Sequence, residues 1–336
     1  MFSQQSPFIQ KAPSVTLVMM LVMVALIPGI LAYLFLFGIG VILNLTIAII
    51  TGLIAEYFIL RIRNLPIKLF ITDGSAIVAA SLLAISIPPI TPWWIIVIGT
   101  LFTIVVAKHL YGGLGSNLFN PAMIGYAVLL ISFPAVMTKW PLPASHLLDF
   151  SIAQQIQVFI YGTQNIIDSV SSATPFDYIK TQIFLDRPYK INLSEGMPLN
   201  SYVNASIIIS ISFLIGGIFM WFKKIITWHL PITFLISLIL ISSIFWLIDS
   251  DRFLSPYMHI INGGTMLCAF FIITDPVSGP TTPKGKIFFA FGVALLVYLI
   301  RVFGGYPEGI AFAVIFMNIC VPLIDSLTQP KVFGHE

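Results

Sequence analysis

The sequence has very few charged residues for its length. Of its 336 residues, 9% are charged and 58% are apolar. A soluble domain has about a quarter of its residues charged, and a chain this apolar has too little polar surface to enclose its hydrophobic residues in water. The net charge of +3 is also too small, and the basic residues too dispersed, for a nucleic-acid-binding stripe. The composition therefore indicates an integral membrane protein.

Cysteine is almost absent. The only two cysteines, Cys268 and Cys320, both lie in apolar stretches. Two thiols cannot form a disulfide framework, and they cannot supply the four thiolates of an iron–sulfur cluster. We interpret them as small buried hydrophobic residues. We expect no metal ligands in this chain, and no catalytic residues that act without partner subunits.

Several nucleotide and cofactor motifs are also missing. The sequence has no Walker A motif, which excludes ATP hydrolysis by this chain, and no C-x-x-C-H motif for covalent haem. His229 and His259 fall at opposite membrane faces in the predicted topology, so they cannot share one haem iron. No cleavage site follows the first apolar run, which begins at Val15. We expect this run to remain as membrane helices and not to be removed as a signal peptide.

Long apolar segments are abundant. A transmembrane helix needs about 20 apolar residues, so the run from Val15 to Leu60 is expected to form two helices, broken around Gly38 and Gly40. The further apolar segments lie at about 75–88, 93–107, 121–138, 205–222, 228–247, 257–274, 287–303 and 308–325. The predicted fold class is an all-α polytopic membrane protein with about ten transmembrane helices.

The basic residues of the short loops are distributed unevenly between the two faces. If the N-terminus is cytoplasmic, ten Lys and Arg residues lie on the cytoplasmic side, and only Arg252 and Arg301 lie in short loops opposite. Positive residues are retained on the cytoplasmic side. Both termini are therefore predicted to be cytoplasmic, and the long connection from Thr138 to Asn204 periplasmic, in a bacterial inner membrane.

This connection divides the chain into three parts. They are a first five-helix half (1–137), the loop (138–204) and a second five-helix half (205–336). Because five is odd, the two halves have inverted topology if they are related. Secondary transporters and channels can have the same inverted plan. The alternative function is therefore that of a secondary transporter or channel with inverted repeats and no redox cofactor. A purely structural membrane anchor is a third class.

Ionisable residues within or next to apolar segments are candidates for function, because burying a charge in hydrocarbon is costly. Glu56 and Arg63 share one helix face, and local pairing or an interfacial position is the default interpretation. Asp73 and Asp275 each follow a threonine in a predicted cytoplasmic loop. For these two carboxylates, helix capping and a cation path both remain open.

The long loop contains one unusual polar stretch, residues 168–177. On composition alone it is a Ser/Thr-rich turn ended by proline. The stretch resembles the flavinylation signal Asp-x-x-Ser/Thr-Gly-Ala-Thr, at which a flavin transferase joins FMN through its phosphate to the threonine hydroxyl. The residues in register with the signal are Asp168, Ser171, Ala173 and Thr174. Ser172 stands where the signal has glycine. The resemblance implies covalent FMN at Thr174.

Four blocks extend the resemblance along the chain. They are residues 112–126, 274–278, 301–309 and 318–325. In content and order they resemble the D-type component of the Rnf (also called Rsx) electron transport complex, which is related to the B-type component of sodium-pumping NADH:quinone reductase. The match covers roughly residues 14–335.

The resemblance implies a membrane subunit of an ion-translocating oxidoreductase complex, not catalytic alone. Electrons would pass through the covalent FMN between NADH and ferredoxin or a related acceptor, coupled to ion transport. The implied partners are Rnf components of the A, B, C, E and G types and a flavin transferase. A second, non-covalent riboflavin is also implied, at no identifiable site. Arg301 and Glu308 bracket a turn on the loop side, where we expect a local ion pair, with a flavin phosphate as the alternative partner of Arg301.

Overall fold

The computed structural model describes residues 14–144, 150–184, 198–306 and 308–330. The helices of the first half are α1 (Val15–Phe37), α2 (Gly40–Ile62), α3 (Ile67–Ile71), α4 (Ser75–Ser86), α5 (Trp93–Leu101), α6 (Pro121–Ser132) and α7 (Pro134–Met137). A π-helical segment, Phe102–His109, continues α5. The loop contains β1 (Trp140–Pro141), α8 (Ile152–Tyr161), α9 (Gln164–Val170), β2 (Ser171–Ser172) and α10 (Pro175–Phe184).

The second half is built from the helices α11 (Pro198–Phe222), α12 (His229–Ile248), α13 (Pro256–Ile261), α14 (Thr265–Leu267), α15 (Pro283–Phe303) and α16 (Ile310–Thr328). A π-helical segment, Cys268–Ile272, continues α14. Helix α11 begins at Pro198, ahead of residue 205, where the second half is predicted to begin.

Six of the described helices are long and apolar enough to cross a membrane. They are α1, α2, α11, α12, α15 and α16. The prediction of an all-α polytopic membrane protein is confirmed at this level. Shorter or interrupted helices occupy the remaining predicted segments: α4, α5 with its π-helical continuation, α6 with α7, and α13 with α14.

Prolines and glycines explain where these shorter helices stop. Helix α4 ends at Ser86, just before Pro88 and Pro89, because proline has no N–H to donate and its ring clashes with the preceding turn. Two glycines, Gly263 and Gly264, separate α13 from α14, with φ angles of 68° and 66°. These left-handed conformations suit glycine and end the helix.

The break between α1 and α2 falls at the predicted position. Gly38 has a φ of 79°, and a Cβ built there would lie 2.7 Å from Gln155 Oε1. That side-chain oxygen accepts a hydrogen bond from the backbone N–H of Gly40 at 3.2 Å. Gln155 belongs to α8, so the loop rests directly on the turn between the first two helices.

The two halves meet along pairs of helices. Helix α1 packs against α11, and α6 packs against α16. The first contact is close because Gly216 of α11 faces the backbone of α1, where a Cβ would lie 2.0 Å from the carbonyl oxygen of Ala25. Small residues permit such close helix approach within membranes.

The loop covers both halves on one side, which we call the loop face. Its first part packs on the first half in a cluster of Ile90, Phe150, Val158, Ile167 and Val170. Its second part, α10, packs on the second half in a cluster of Phe176, Ile179, Val203, Leu254, Met258 and Ile261. Thr174 lies in the short segment between these two parts.

Candidate functional site

Thr174 occupies the N-cap position of α10. Its hydroxyl accepts a hydrogen bond from the backbone N–H of Asp177 at 3.3 Å, and its carbonyl accepts one from Tyr178 at 2.9 Å. Threonine is a favoured N-cap residue, and Pro175 follows at the first helical position, where its missing N–H costs nothing. The sequence -Thr-Pro- therefore starts a helix that holds the Thr174 side chain in a defined position.

The residues before Thr174 form a short strand. Strand β2 pairs antiparallel with β1, with Ser172 opposite Trp140 and Ser171 opposite Pro141. Tyr202 of α11 supports this pair, since its hydroxyl lies 3.0 Å from the Trp140 carbonyl and 2.9 Å from the Pro141 carbonyl. Ser172 is thus in an extended conformation that any residue adopts, and this fold does not require the glycine of the flavinylation signal.

The other residues in register with the signal have separate positions. Asp168, in α9, accepts a hydrogen bond from Lys139 Nζ at 2.6 Å, with side chains 63% and 36% exposed respectively. An ion pair this exposed contributes between about 0 and 1 kcal/mol to stability. Ala173 is exposed, and Ser171 is partly buried in β2. Ser171 and Ala173 line a surface pocket with Ser172 and Asp177, whereas Asp168 is not part of its wall.

A large cavity opens beside Thr174. It extends from Thr174 and Asp177 on the loop face into the space between the two halves, with about 1220 Å³ of empty volume including its opening. Much of its wall is aromatic: Tyr33, Phe37, Tyr126, Trp140, Tyr202 and Phe213. The ring centroid of Tyr33 lies 6.4 Å from that of Trp140 and 6.0 Å from that of Phe213. Clefts with mostly apolar walls and a few polar groups are typical of small-molecule and cofactor sites.

Helix α10 is anchored to the second half by Lys180. The Nζ group donates hydrogen bonds to the carbonyl oxygens of Ile300 (3.2 Å), Gly304 (2.7 Å) and Tyr306. These carbonyls lie at and just beyond the C-terminal end of α15, where the helix dipole favours a positive charge. Lys180 therefore fixes the helix that begins at Thr174.

Phe176 provides a second anchor for α10. The guanidinium carbon of Arg301 lies 4.8 Å from the centroid of the Phe176 ring, which is 5% exposed. Arg301 is itself held by Glu308, since Nε donates to Oε1 at 3.0 Å and Nη2 donates to Oε2 at 2.9 Å. The expected local ion pair is present. Arg301 also donates to the carbonyls of His259 and Gly263, so its hydrogen-bonding groups are committed to the protein.

The charged groups beside Thr174 are partly desolvated. Burial raises the pKa of Asp177, and the hydrogen bonds from Thr174 oppose this rise. Burial lowers the pKa of Lys180, and the nearby carboxylates of Asp177 and Glu308 oppose that change. The mouth of the cavity thus combines the Thr174 hydroxyl with a carboxyl group of raised pKa, while Lys180 lies outside the cavity wall at the end of α15.

A second cluster of ionisable groups is buried on the side opposite the loop face. Glu56 Oε1 accepts a hydrogen bond from Lys108 Nζ at 2.5 Å, and the two side chains are 1% and 3% exposed. Lys108 also donates to Ser75 Oγ at 2.7 Å. Lys108 and His109 both lie in the π-helical segment, and His109 Nε2 is 3.5 Å from Glu56 Oε1. Arg63 instead donates to the His109 carbonyl at 3.3 Å, so it is not the partner of Glu56.

The comparisons with known proteins agree with this architecture. The family described as NQR2, RnfD, RnfE matches residues 2–334. The D-type component of the ion-translocating oxidoreductase complex from Yersinia pseudotuberculosis serotype I is 45% identical over 345 residues, which cover 98% of this chain and 97% of that protein. The chain belongs to the NQR2, RnfD, RnfE family. The protein of the same name from Aliivibrio salmonicida is 43% identical, and the match covers 100% of this chain and 99% of that protein. The one from Cronobacter sakazakii is 44% identical, and the match covers 98% of each chain.

Three of the four blocks that carried the family resemblance meet where the two halves are in contact. Asn120, the N-cap of α6, donates from Nδ2 to the Ile272 carbonyl at 3.0 Å, and its backbone N–H donates to Asn318 Oδ1 at 3.1 Å. Asn318 Nδ2 in turn donates to the Ser278 carbonyl at 2.8 Å. Three of the blocks therefore meet in one buried hydrogen-bond network, which explains part of the sequence pattern of this family member.

The two aspartates next to threonines close short local turns in this family member. Asp73 Oδ1 accepts hydrogen bonds from the backbone N–H of Ser75 at 2.7 Å and from its hydroxyl at 2.5 Å. Asp275 Oδ2 accepts the equivalent bonds from Ser278 at 3.2 and 2.6 Å. Neither aspartate is the N-cap residue of a helix: the N-cap of α4 is Gly74, and Ser278 lies ahead of α15, whose N-cap is Thr282.

The histidines lie at different places in this family member. His229 begins α12, where its ring stacks on Trp228 with centroids 4.1 Å apart. His259 lies near the other end of α12, against Tyr298 at 5.1 Å. The two rings are therefore apart, as the predicted topology required.

Sequence reasoning missed three parts of the site: the aromatic cavity, the Lys180 anchor and the Glu56–Lys108 pair. Each joins residues far apart in the chain, such as Lys180 with Ile300 or Glu56 with Lys108. One signal was available for the anchor. Lys180 is one of only four basic residues in the loop, and it follows the candidate threonine by less than two helical turns.

Proposed function

We propose that this chain is the D-type membrane component of an ion-translocating oxidoreductase complex and carries FMN on Thr174. The observation that supports the proposal most strongly is the position of the Thr174 hydroxyl, at the mouth of an aromatic cavity that reaches between the two halves. A threonine that serves only to cap a surface helix does not require such a cavity. The names of the relatives supply the function of the complex.

The residues present suit both parts of this cofactor. A phosphate joined to Thr174 would lie at the N-terminus of α10, a ten-residue helix, where the helix dipole favours negative charge. The flat isoalloxazine ring matches the aromatic wall formed by Tyr33, Trp140 and Tyr202. A covalent ester at a loop also prevents loss of the cofactor to the surrounding solution.

The flavin, when bound, supplies the acceptance and release of electrons. The residues of this chain position it and exclude water from it. Lys180 and Phe176 hold α10 on the second half, and the β1–β2 pair holds the preceding residues on the end of the first half. The attachment point is therefore fixed from both sides. No residue of the chain is assigned a catalytic role of its own.

We further propose ten membrane spans in two inverted five-helix repeats. Corresponding helices make corresponding contacts: α2 packs against α4 and α5, and α12 packs against α13 and α15. The pairs α1–α11 and α6–α16 lie where a two-fold axis in the membrane plane would pass. In this arrangement the short helices α4, α6, α13 and α14 are the discontinuous spans that line the cavity region.

The proposed location is a bacterial inner membrane, with both termini cytoplasmic and the loop periplasmic. Partner components of the A, B, C, E and G types complete the electron path between NADH and ferredoxin or a related acceptor, and a flavin transferase attaches the FMN. A second, non-covalent riboflavin belongs to the proposal without an assigned site.

Cysteine labelling in intact cells tests this topology. Asn165 and Lys284 are both exposed and lie on opposite sides in the proposed arrangement. A membrane-impermeant maleimide should label N165C without lysis and K284C only after lysis. The reverse pattern would refute the assigned orientation.

Flavin fluorescence after denaturing electrophoresis tests the attachment. The wild-type protein, co-expressed with its partner subunits and a flavin transferase, should give a fluorescent band, and T174A should give none. T181A is the matched control, because Thr181 is an exposed threonine in the same helix. If neither the wild type nor T181A fluoresces, the alternative of a transporter without a redox cofactor gains support.

A further inference from the structure

One wall of the cavity is formed by the break between α13 and α14. Asn262, Gly263 and Gly264 make this break, and all three line the cavity. Gly263 is surrounded closely, since a Cβ there would lie 2.0 Å from Glu308 Oε2 and 2.6 Å from Phe176 Cε2. The backbone of this segment is therefore confined by the same residues that anchor α10.

Asn262 is rigidly held within this wall. Its side chain donates from Nδ2 to the Met258 carbonyl at 3.0 Å. Its own carbonyl lies 2.9 Å from the Thr265 hydroxyl, which accepts a hydrogen bond from Arg301 Nη2 at 3.0 Å. Arg301 thus fixes the backbone that carries Asn262, and the Met258 carbonyl fixes its amide.

The side-chain oxygen of Asn262 has no hydrogen-bond partner among the described residues, although the residue is only 2% exposed. Leaving a buried acceptor unpaired is costly, so each such group in a folded protein calls for an explanation. Among the described residues that line the cavity, it is the one fully buried side-chain oxygen or nitrogen in this condition. The other carboxylate and amide oxygens of the wall are engaged, for example Asp177 with Thr174 and Glu308 with Arg301.

We infer that Asn262 recognises the flavin ring by accepting a hydrogen bond from its imide N–H. This inference rests on the proposed function, in which the ring enters the cavity from Thr174. The oxidised isoalloxazine ring carries a single N–H group, in the imide between its two carbonyls, and this is the donor that an acceptor-only oxygen can satisfy. Asn262 is a positioning residue that sets the orientation of the ring, whereas Thr174 supplies the attachment.

Non-covalent binding tests the inference without relying on activity. T174A cannot be esterified, so its cavity is open to added riboflavin, and quenching of riboflavin fluorescence by the aromatic wall measures the affinity. N262A in the T174A background should bind riboflavin about fivefold more weakly, which corresponds to the loss of one neutral hydrogen bond of about 1 kcal/mol. Wild-type protein with attached flavin should bind one riboflavin fewer than T174A, because its cavity is filled, whereas the unassigned non-covalent riboflavin site is present in both.

N44A is the matched control. Asn44 is also a buried asparagine whose Nδ2 donates to one carbonyl and whose Oδ1 has no partner among the described residues, but it does not line the cavity. N44A in the T174A background should keep the riboflavin affinity of T174A. Equal affinities for N262A and N44A would overturn the inference, and so would the absence of riboflavin binding to T174A.

A measurement on the unaltered protein covers the case in which N262A does not accumulate. Resonance Raman spectroscopy of the attached flavin identifies the imide band, because this band shifts when the imide N–H is deuterated. The frequency of this band should be that of a hydrogen-bonded imide. The position found for the free flavin in an aprotic solvent would contradict the inference. If the proposed function is wrong and no flavin is attached, the wild-type band on the denaturing gel will not be fluorescent. This result is distinct from a wild-type band that carries flavin whose imide is not hydrogen-bonded.

Discussion

The hydroxyl of Thr174 donates a hydrogen bond to Asp177 Oδ2 at 2.5 Å, and the backbone N–H of Asp177 donates back to the same hydroxyl at 3.3 Å. Esterification of Thr174 would remove the hydroxyl proton and place a negative phosphate beside the carboxyl group. Burial raises the pKa of Asp177, and a neighbouring phosphate charge would raise it in the same direction.

Asp177 should therefore reduce stability as pH rises. A carboxyl group with a folded-state pKa above its unfolded value of about 4 favours folding below that value, and this contribution is lost as pH rises through the folded-state pKa. D177N removes the titrating group. We expect the melting temperature of the wild type to fall relative to that of D177N as the pH rises above about 4. Parallel melting curves for the two proteins over this range would contradict the assignment.

Loss of the Lys180 ammonium should loosen α10. K180M removes the donor to three carbonyls at the end of α15, and we expect a loss of about 1–3 kcal/mol in the local free energy of opening. Hydrogen exchange of the α10 amides measures this opening. K139M is the control, since the exposed Lys139–Asp168 pair should contribute less than about 1 kcal/mol. Equal protection of α10 in the two variants would show that Lys180 is not an anchor.

Breaking the buried pair of Glu56 and Lys108 should be strongly destabilising. K108M leaves the Glu56 carboxylate buried without its cation, and removing one partner of such a pair costs about 3–5 kcal/mol. Replacing both partners in E56Q/K108M should recover a large part of this loss, because no uncompensated charge remains. Unfolding in detergent measures both variants. A double variant no more stable than K108M would argue against charge pairing as the reason for the effect.

Gly263 should tolerate no side chain. G263A places a Cβ against Glu308 and Phe176 at a φ of 68°, and we expect a loss of at least about 2 kcal/mol and a lower yield of folded protein. Gly305 lies in the nearby turn with open space around its Cβ position. G305A should therefore behave like the wild type in the same thermal unfolding assay. Similar losses in both variants would indicate a general sensitivity of the turn and not a specific clash.

Much of the fold could be predicted from local sequence. The break between α1 and α2 follows from Gly38, the end of α4 follows from Pro88, and the long apolar runs give the long helices. These features depend on residues close in the chain, which is why hydropathy and proline or glycine positions locate them. The Arg301–Glu308 pair was predictable for the same reason, because its members are seven residues apart across one turn.

The site was only partly predictable. The motif identified Thr174, and the structure adds that it is a helix N-cap at a cavity mouth. The wall of that cavity is drawn from α1, α6, α11 and the α13–α14 break, so no single stretch of sequence contains it. The π-helical segment that contains Lys108 was also invisible to a search based on a period of 3.6 residues. Nothing in the local sequence marked Asn262, because only the structure shows that its side-chain oxygen is buried without a hydrogen-bond partner among the described residues.

The central claim, that Thr174 carries the flavin, is tested most directly by peptide mapping. Trypsin releases residues 140–180 as one peptide, because no Lys or Arg lies between Lys139 and Lys180. In protein purified with its partner subunits after co-expression with a flavin transferase, this peptide should be fluorescent, and fragmentation should place the added FMN mass on Thr174. Recovery of the peptide without added mass, or with the mass on another residue such as Ser171 or Ser172, would contradict the account.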